Sequence, residues 1–100
     1  MGMIRVLDYV DQCYNSTDGQ IIHDVIASHL KRNDILTVSF SGVDSVPSSF
    51  VNTALVALLR RYDFSQIKRL LRFVDTNSQI NEMIRTRFTF EAGRTAQQVH

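Results

Sequence analysis

The order of apolar and polar residues predicts strands that alternate with helices along the chain. A short apolar run over residues 35–40 is typical of a buried strand. From Gln20 onward, packing positions recur every three or four residues and predict a helix, with Thr17 or Asp18 as its N-cap. The packing positions of this helix are Ile21, Ile22, Val25, Ile26, His29 and Leu30.

A second helix is predicted shortly after the apolar strand. Pro47 cannot donate a backbone hydrogen bond and favours an extended conformation at the residue before it, so the helix is expected to begin after Pro47. Ser48 or Ser49 is then the expected N-cap, because a serine hydroxyl can accept a hydrogen bond from an unpaired amide of the first turn. The apolar face of this helix consists of Val51, Ala54, Leu55, Leu58 and Leu59.

Three further elements complete the pattern. Residues 3–10 and 67–74 are rich in strand-forming side chains, and Asn77 or Ser78 can cap a last helix. Residues 89–91 are expected to add a short strand, and residues 91–100 to form a flexible tail. Strand and helix alternate three times, which favours a mainly parallel sheet with right-handed crossovers.

The segment ILTVSFSGVDSVPSSFVNTALVALL, residues 35–59, resembles a known family. Its apolar strand is followed by SGVD, by a short link and by SSF at the start of a helix. This pattern looks like the STAS-like family of unassigned function. That family is related to the STAS domains of anti-sigma factor antagonists and of anion-transporter tails, and the resemblance covers roughly residues 5–88.

The resemblance implies an α/β fold made of a single small STAS-like domain over residues 1–90. The expected sheet has about four strands and is mostly parallel or mixed, with a first strand that is antiparallel to the others. The helices are expected to pack mainly on one side of that sheet.

The resemblance also implies a function. In the antagonists the corresponding junction reads Asp-Ser-Ser-Gly-Leu, and its first serine is phosphorylated by a partner kinase that is also the anti-sigma factor. Ser48 falls on the phosphorylated position and Ser49 on the next one, so both are candidate phosphorylation sites. Pro47 stands where the antagonists have the aspartate, and Phe50 where they have the glycine. The implied partner is a protein, an ATP-binding kinase or sensor.

The turn before the second helix is the candidate partner-binding surface. Phe50 leaves two interpretations open, since its side chain can either be buried against the sheet or be exposed as an interface anchor. A purely structural interpretation also stays open, in which one serine caps the helix and the other is merely small. The candidate contact residues are Val43, Asp44, Val46, Ser48, Ser49 and Phe50.

Length and composition set the limits of the fold. A chain of 100 residues with 44% hydrophobic residues is large enough for one domain with one core. It shows no charged leader and no apolar run near the ~20 residues that span a bilayer. Its single cysteine, Cys13, excludes an intrachain disulfide. We therefore expect a soluble cytoplasmic protein, not bound to membranes, that is a monomer or a homodimer.

The net charge of +1 hides an uneven distribution. Residues before Arg60 include three basic and six acidic side chains, and the remainder includes eight basic and four acidic ones. A basic second half suits an acidic protein surface or nucleic acid, although basic residues interleaved with acidic ones are also typical of an ordinary solvated surface. The candidate basic patch consists of Arg60, Arg61, Arg69 and Arg72.

No sequence motif indicates catalysis. The chain lacks a nucleophile elbow, a phosphate-binding glycine loop and a zincin helix, so we predict no enzyme activity, no catalytic residue and no cofactor. His23 and His29 are six residues apart, which does not place two metal ligands on one helical face, so no metal site is predicted. Cys13 has no basic neighbour and is expected to be an inert thiol.

These observations favour a non-enzymatic regulatory module, bacterial or phage in origin, that switches partners through Ser48 and Ser49. Two alternatives stay open. One is a nucleic-acid-associated regulator that uses the basic second half of the chain. The other is a small phage or mobile-element inhibitor that blocks a host complex.

Overall fold

The computed structural model describes residues 2–98 and the side chains of residues 2–93. These residues form an α/β fold in which a small parallel sheet carries helices. The strands are β1 (Gly2–Arg5), β2 (Leu36–Ser39) and β3 (Leu71–Val74), and the α-helices are α1 (Ser16–Lys31), α2 (Ser48–Ala54), α3 (Phe64–Leu70) and α4 (Ser78–Gln98). Two 3₁₀ segments, Val6–Asp8 and Val56–Arg60, follow β1 and α2.

The sheet has three strands in the order β1-β2-β3, and both strand pairs are parallel. Ile4 lies opposite Val38, and Val38 lies opposite Phe73. The predicted α/β class and mostly parallel sheet are confirmed. The described residues form three strands instead of about four, and the expectation of an antiparallel first strand is wrong. The reason is that helices connect both strand pairs, and a helical crossover brings the chain back in the same direction.

The helices cover one face of the sheet. Ile4 and Val38 point to that face and are buried, whereas Met3 on the opposite face of β1 is 65% exposed. Arg5 and Arg72, which also point to the opposite face, are exposed. Crossovers between parallel strands are right-handed in nearly all proteins, and two such crossovers that step along a sheet in the same direction place their helices on the same side, as here.

Two predicted strands are shorter than their apolar sequences suggest. After Arg5 the chain turns into the Val6–Asp8 segment, where the amides of Tyr9 and Val10 both donate to the Val6 carbonyl. In residues 67–74, only Leu71–Val74 is strand, and the preceding part belongs to α3. Ile67 and Leu70 are both buried and three residues apart, which is helical spacing in a segment where basic residues interrupt the apolar ones.

Asparagine side chains cap the two long helices. Asn15 is the N-cap of α1, because its Oδ1 accepts a hydrogen bond from the Asp18 amide at 2.9 Å. The Asp18 carboxylate in turn accepts from the Tyr14 amide at 3.1 Å. The prediction of Thr17 or Asp18 as the cap is therefore wrong. Asn77 caps α4 through the Ile80 amide at 2.9 Å, which confirms one of the two predicted residues.

The second helix ends before the last residues of its predicted apolar face. Helix α2 stops at Ala54, and the chain continues through Leu55 into the Val56–Arg60 segment. Leu55 and Leu58 are nevertheless both buried. A 3₁₀ turn places residues three apart on the same side, so the apolar side chains still reach the core.

The predicted strand over residues 89–91 is wrong, because α4 continues through these residues to Gln98. Phe88 stacks on Phe64 of α3 with ring centroids 5.5 Å apart, and Arg87 pairs with Glu91 one turn later at 3.2 Å. The predicted flexibility of residues 91–100 stays a prediction; residues 99–100 lie outside the described part of the chain.

Candidate partner-binding surface

The loop of residues 41–47 leaves the carboxyl end of β2 and leads into α2. Its first turn is closed by a hydrogen bond from the Val43 amide to the Phe40 carbonyl at 2.9 Å. Gly42 has a φ of +87°, a conformation that side chains other than glycine adopt only with strain. A Cβ atom at Gly42 would also lie 2.9 Å from Cδ1 of Leu7. The turn therefore requires glycine.

Two side chains at the start of α4 hold the far part of this loop. The Gln79 amide forms two hydrogen bonds with the backbone of Val46: its Oε1 accepts from the Val46 amide and its Nε2 donates to the Val46 carbonyl, both at 2.9 Å. Asn77 Nδ2 donates to the Asp44 carbonyl at 2.7 Å. These bonds satisfy loop backbone groups that no neighbouring strand reaches, so they fix the loop shape.

Replacing Gln79 with alanine is expected to lower the free energy of unfolding by about 1–2 kcal/mol, because two hydrogen bonds to the Val46 backbone are lost. Urea unfolding followed by circular dichroism measures this change. Amide hydrogen exchange at Val46 should also become faster. Asn81→Ala is the matched control, since Asn81 is exposed on the same helix and its side chain has no hydrogen bond within the described part of the chain. Equal losses in both variants would show that the two hydrogen bonds from Gln79 to Val46 do not stabilise the loop.

The candidate contact residues separate into exposed and buried ones. Asp44, Ser48 and Ser49 are exposed and Val43 is half-buried. Val46 is 2% exposed and Phe50 is 0% exposed, and both belong to the hydrophobic core. Including Val46 and Phe50 in the contact surface is therefore wrong for the folded chain. Of the two interpretations of Phe50, the structure supports packing in the core.

Neither serine caps α2. Pro47 is the N-cap, with φ of −82° and ψ of 164°, and no side chain accepts a hydrogen bond from the first turn. The predicted cap at Ser48 or Ser49 is wrong, because proline already supplies the extended residue that precedes the first helical one. Both serines are exposed in the first turn, and their hydroxyl groups have no hydrogen-bond partner among residues 2–93.

Residues 18–81 match the family model described as a STAS-like domain of unknown function (DUF4325). The chain belongs to this STAS-like family. No curated protein and no solved structure matches the chain. The matched residues extend from the start of α1 to the first turn of α4, so they include the loop, both serines and Gln79, which bonds to the loop.

A buried serine and an aspartate join two strand ends of the STAS-like domain, beside the loop. Ser39 is 2% exposed and its hydroxyl donates to Asp75 Oδ2 at 2.6 Å. The Ser41 amide donates to the same hydroxyl at 3.2 Å, so this pair also orients the first loop residue. The sequence contains a partial signal for it, since Ser39 ends β2 and Asp75 directly follows β3, its parallel neighbour.

The four arginines of the candidate basic patch do not share one site. Arg60 and Arg61 line a cavity next to α1 that neither Arg69 nor Arg72 lines. The Arg72 guanidinium turns back to its own chain, where Nη1 donates to the carbonyls of Lys68 and Arg69, both at 3.0 Å. Arg60 and Arg61 are therefore unpaired beside α1, whereas Arg72 is at another place and bonds to its own backbone.

Reactive and metal-binding groups are sparse in the described part of the STAS-like domain. Cys13 is buried, and burial together with the nearby Asp18 carboxylate raises the pKa of its thiol to about 11. The thiol is protonated at neutral pH, in line with the expected inert cysteine. His23 and His29 are both half-buried on α1. Within residues 2–93, whose side chains the structure describes, no three His, Cys, Asp or Glu side chains form a cluster that could hold a metal ion. None of the helices within residues 2–98 combines the length and the hydropathy of a membrane-spanning helix.

Proposed function

We propose that this STAS-like domain is a non-enzymatic regulatory module that binds another protein through residues 41–49. The observation that carries the proposal is the combination of a fixed loop with two exposed serines. Gln79 and Asn77 hold the loop backbone, so little order has to be gained when a partner binds. Ser48 and Ser49 have hydroxyl groups that the fold does not use.

Modification of either serine would change this surface without disturbing the core. The neighbouring residues Phe50 and Val51 are buried, whereas both serines point to solvent. A phosphoryl group adds up to two negative charges and three strong acceptor oxygens, and an exposed position accommodates them without desolvation. The relation to anti-sigma factor antagonists supports an ATP-binding kinase or sensor as the partner, with serine phosphorylation as the switch.

Ser48→Asp is expected to leave the free energy of unfolding within about 0.5 kcal/mol of the wild type, because the side chain is exposed. Its affinity for the partner should fall at least about tenfold, since an uncompensated charge would enter the contact. Ser16→Asp is the matched control, because Ser16 is also exposed and is also the first residue of an α-helix. Weakening by Ser16→Asp to the same degree would show that net charge, not the α2 surface, determines binding.

Affinity purification from the cells that produce the protein identifies the partner. The tagged wild type and the Ser48→Asp and Ser16→Asp variants should be purified with and without nuclease, and the peptide that contains Ser48 and Ser49 should be analysed by mass spectrometry. We expect a stoichiometric ATP-binding protein that the wild type and Ser16→Asp retain and Ser48→Asp loses. Complexes that disappear after nuclease treatment would instead support the nucleic-acid alternative.

A further inference from the structure

A cavity of about 610 Å³ lies between α1 and the chain around the Val56–Arg60 segment. No residue of the 41–49 surface lines it. Its volume falls within the ~300–1,000 Å³ that is usual for small-molecule sites. The cavity is therefore a candidate ligand site that the proposed protein contact does not use.

Unpaired positive charge is concentrated in this cavity. Lys31 from the end of α1 lines it together with Arg60 and Arg61, and none of these three has a hydrogen-bond or ion-pair partner among the described side chains. Among the other described cations, Arg5, Arg32, Arg85 and Arg87 each pair with a carboxylate. Lys68 lies over the Phe64 ring, and Arg72 donates to backbone carbonyls. Arg69 is the one other described cation without a partner, and it does not line the cavity.

The remaining lining residues leave the cavity with a net positive charge. Asp24 is the one acidic lining residue and offsets one of the three positive charges; its carboxylate also accepts a hydrogen bond from Gln20 Nε2 at 2.9 Å. Tyr62 and Leu58 add apolar surface. His23 also lines the cavity, and its Nδ1 is enclosed without a hydrogen-bond partner among the described residues.

We infer that this cavity, lined by Lys31, Arg60 and Arg61 with Tyr62 beside them, binds a small molecule that carries phosphate groups. Arginine offers paired donors that match phosphate oxygens, and lysine adds a compact positive charge. An aromatic side chain such as Tyr62 can pack against the non-phosphate part of the ligand, such as the ring of a nucleotide.

The distribution of charge favours a small ligand over a nucleic-acid strand. A strand would need unpaired cations along an extended path, but Arg69 and Arg72 do not line the cavity and the Arg72 guanidinium is held by backbone carbonyls. Lys31 alone could be explained by its place in the last turn of α1, where a cation offsets the helix dipole. Arg60 and Arg61 are not on that helix, so this explanation does not account for all three charges.

Titration of the purified protein with ADP, inorganic pyrophosphate and adenosine, followed by amide chemical shifts in NMR spectra, tests the inference. We expect saturable shifts in residues 23–31 and 57–62 with ADP or with pyrophosphate at about 0.15 M salt. Adenosine, which lacks phosphate, should bind at least about tenfold more weakly than ADP. Adenosine that binds as tightly as ADP would overturn the inference, because phosphate would then not be recognised.

Arg61→Gln and Lys31→Gln should each weaken the binding of the same probe about tenfold or more, because each removes a charge-assisted contact to phosphate. Arg69→Gln is the matched control: Arg69 is exposed and does not line the cavity, so affinity should stay within about twofold. All three side chains are exposed, so the variants should fold.

Three further results would overturn the inference. One is the absence of saturable shifts in these segments at about 10 mM of either phosphate-bearing probe. Another is equal weakening by Arg69→Gln, which would indicate diffuse attraction to net charge. The third is binding of a DNA duplex at these segments without binding of either small probe, which would make the cavity part of a nucleic-acid surface. Because no residue of the 41–49 surface is involved, none of these results bears on the proposed protein contact.

Discussion

Replacing Phe50 with alanine is expected to lower the free energy of unfolding by about 3–5 kcal/mol. Phe50 is 0% exposed in the first half of α2, and it is one of the largest fully buried side chains in the described core. Removing its ring leaves a cavity that the surrounding core residues fill only in part, so the loss includes both lost burial and lost packing. A domain of this size has a total stability of about 5–15 kcal/mol, so the variant should be close to unfolding.

Phe90→Ala is the control for this prediction. Phe90 is 56% exposed on α4, and the Arg87 guanidinium lies 5.4 Å from its ring centroid. Its removal should lower stability by about 0.5–1 kcal/mol, which is the range of an exposed cation–π contact. Urea unfolding followed by circular dichroism gives both values. If Phe50→Ala unfolds at the same urea concentration as Phe90→Ala, Phe50 is not a core residue. Its interpretation as an interface anchor would then be supported instead.

The periodic parts of the sequence predicted the order of the elements well. The α1 packing positions Ile22, Ile26 and Leu30 are buried at helical spacing, and residues 35–40 contain the central strand. The prediction failed where two periods overlap. In residues 67–74 the apolar positions fit both a strand and a helix, and only the packing of Ile67 and Leu70 in the core distinguishes the two.

Several details depend on contacts between residues far apart in sequence, and local patterns do not contain them. Gln79 reaches the Val46 backbone across 33 positions, and nothing around Gln79 indicates that bond. The same limit applies to the two apolar side chains assigned to the surface. Val46 and Phe50 flank exposed residues in sequence. Phe50 is on α2, which packs on α1, and the backbone of Val46 is bonded to Gln79 of α4, so their burial depends on distant parts of the chain.

The cavity lined by Lys31, Arg60 and Arg61 was predicted only in part from the sequence. The sequence contains Arg60 and Arg61 as adjacent charges and groups them with Arg69 and Arg72. The fold instead brings them to Lys31, about 30 residues earlier in the chain, because α1 packs beside α2 and the Val56–Arg60 segment. The uneven charge distribution predicted a basic patch, but only the packing of α1 determines which basic residues share a site.

The close packing of α1 on α2 leads to the second prediction with a large effect. Gly19→Ala is expected to lower the free energy of unfolding by about 1–3 kcal/mol. A Cβ atom at Gly19 would lie 2.9 Å from the carbonyl oxygen of Phe50 and 3.0 Å from Cβ of Thr53. The first of these atoms belongs to the α2 backbone, so a rotamer change cannot relieve the contact and the two helices must move apart. Helix propensity alone predicts the opposite sign, because alanine stabilises a helix interior by about 1 kcal/mol relative to glycine.

Gly93→Ala measures the effect of helix propensity without a steric contact. Gly93 is exposed on α4, and a Cβ atom there would meet no atom within 4 Å, so only helix propensity acts. This control should gain up to about 1 kcal/mol of stability, while Gly19→Ala loses stability in the same urea-unfolding measurement. If both variants become more stable, α1 and α2 are not in backbone contact at Gly19.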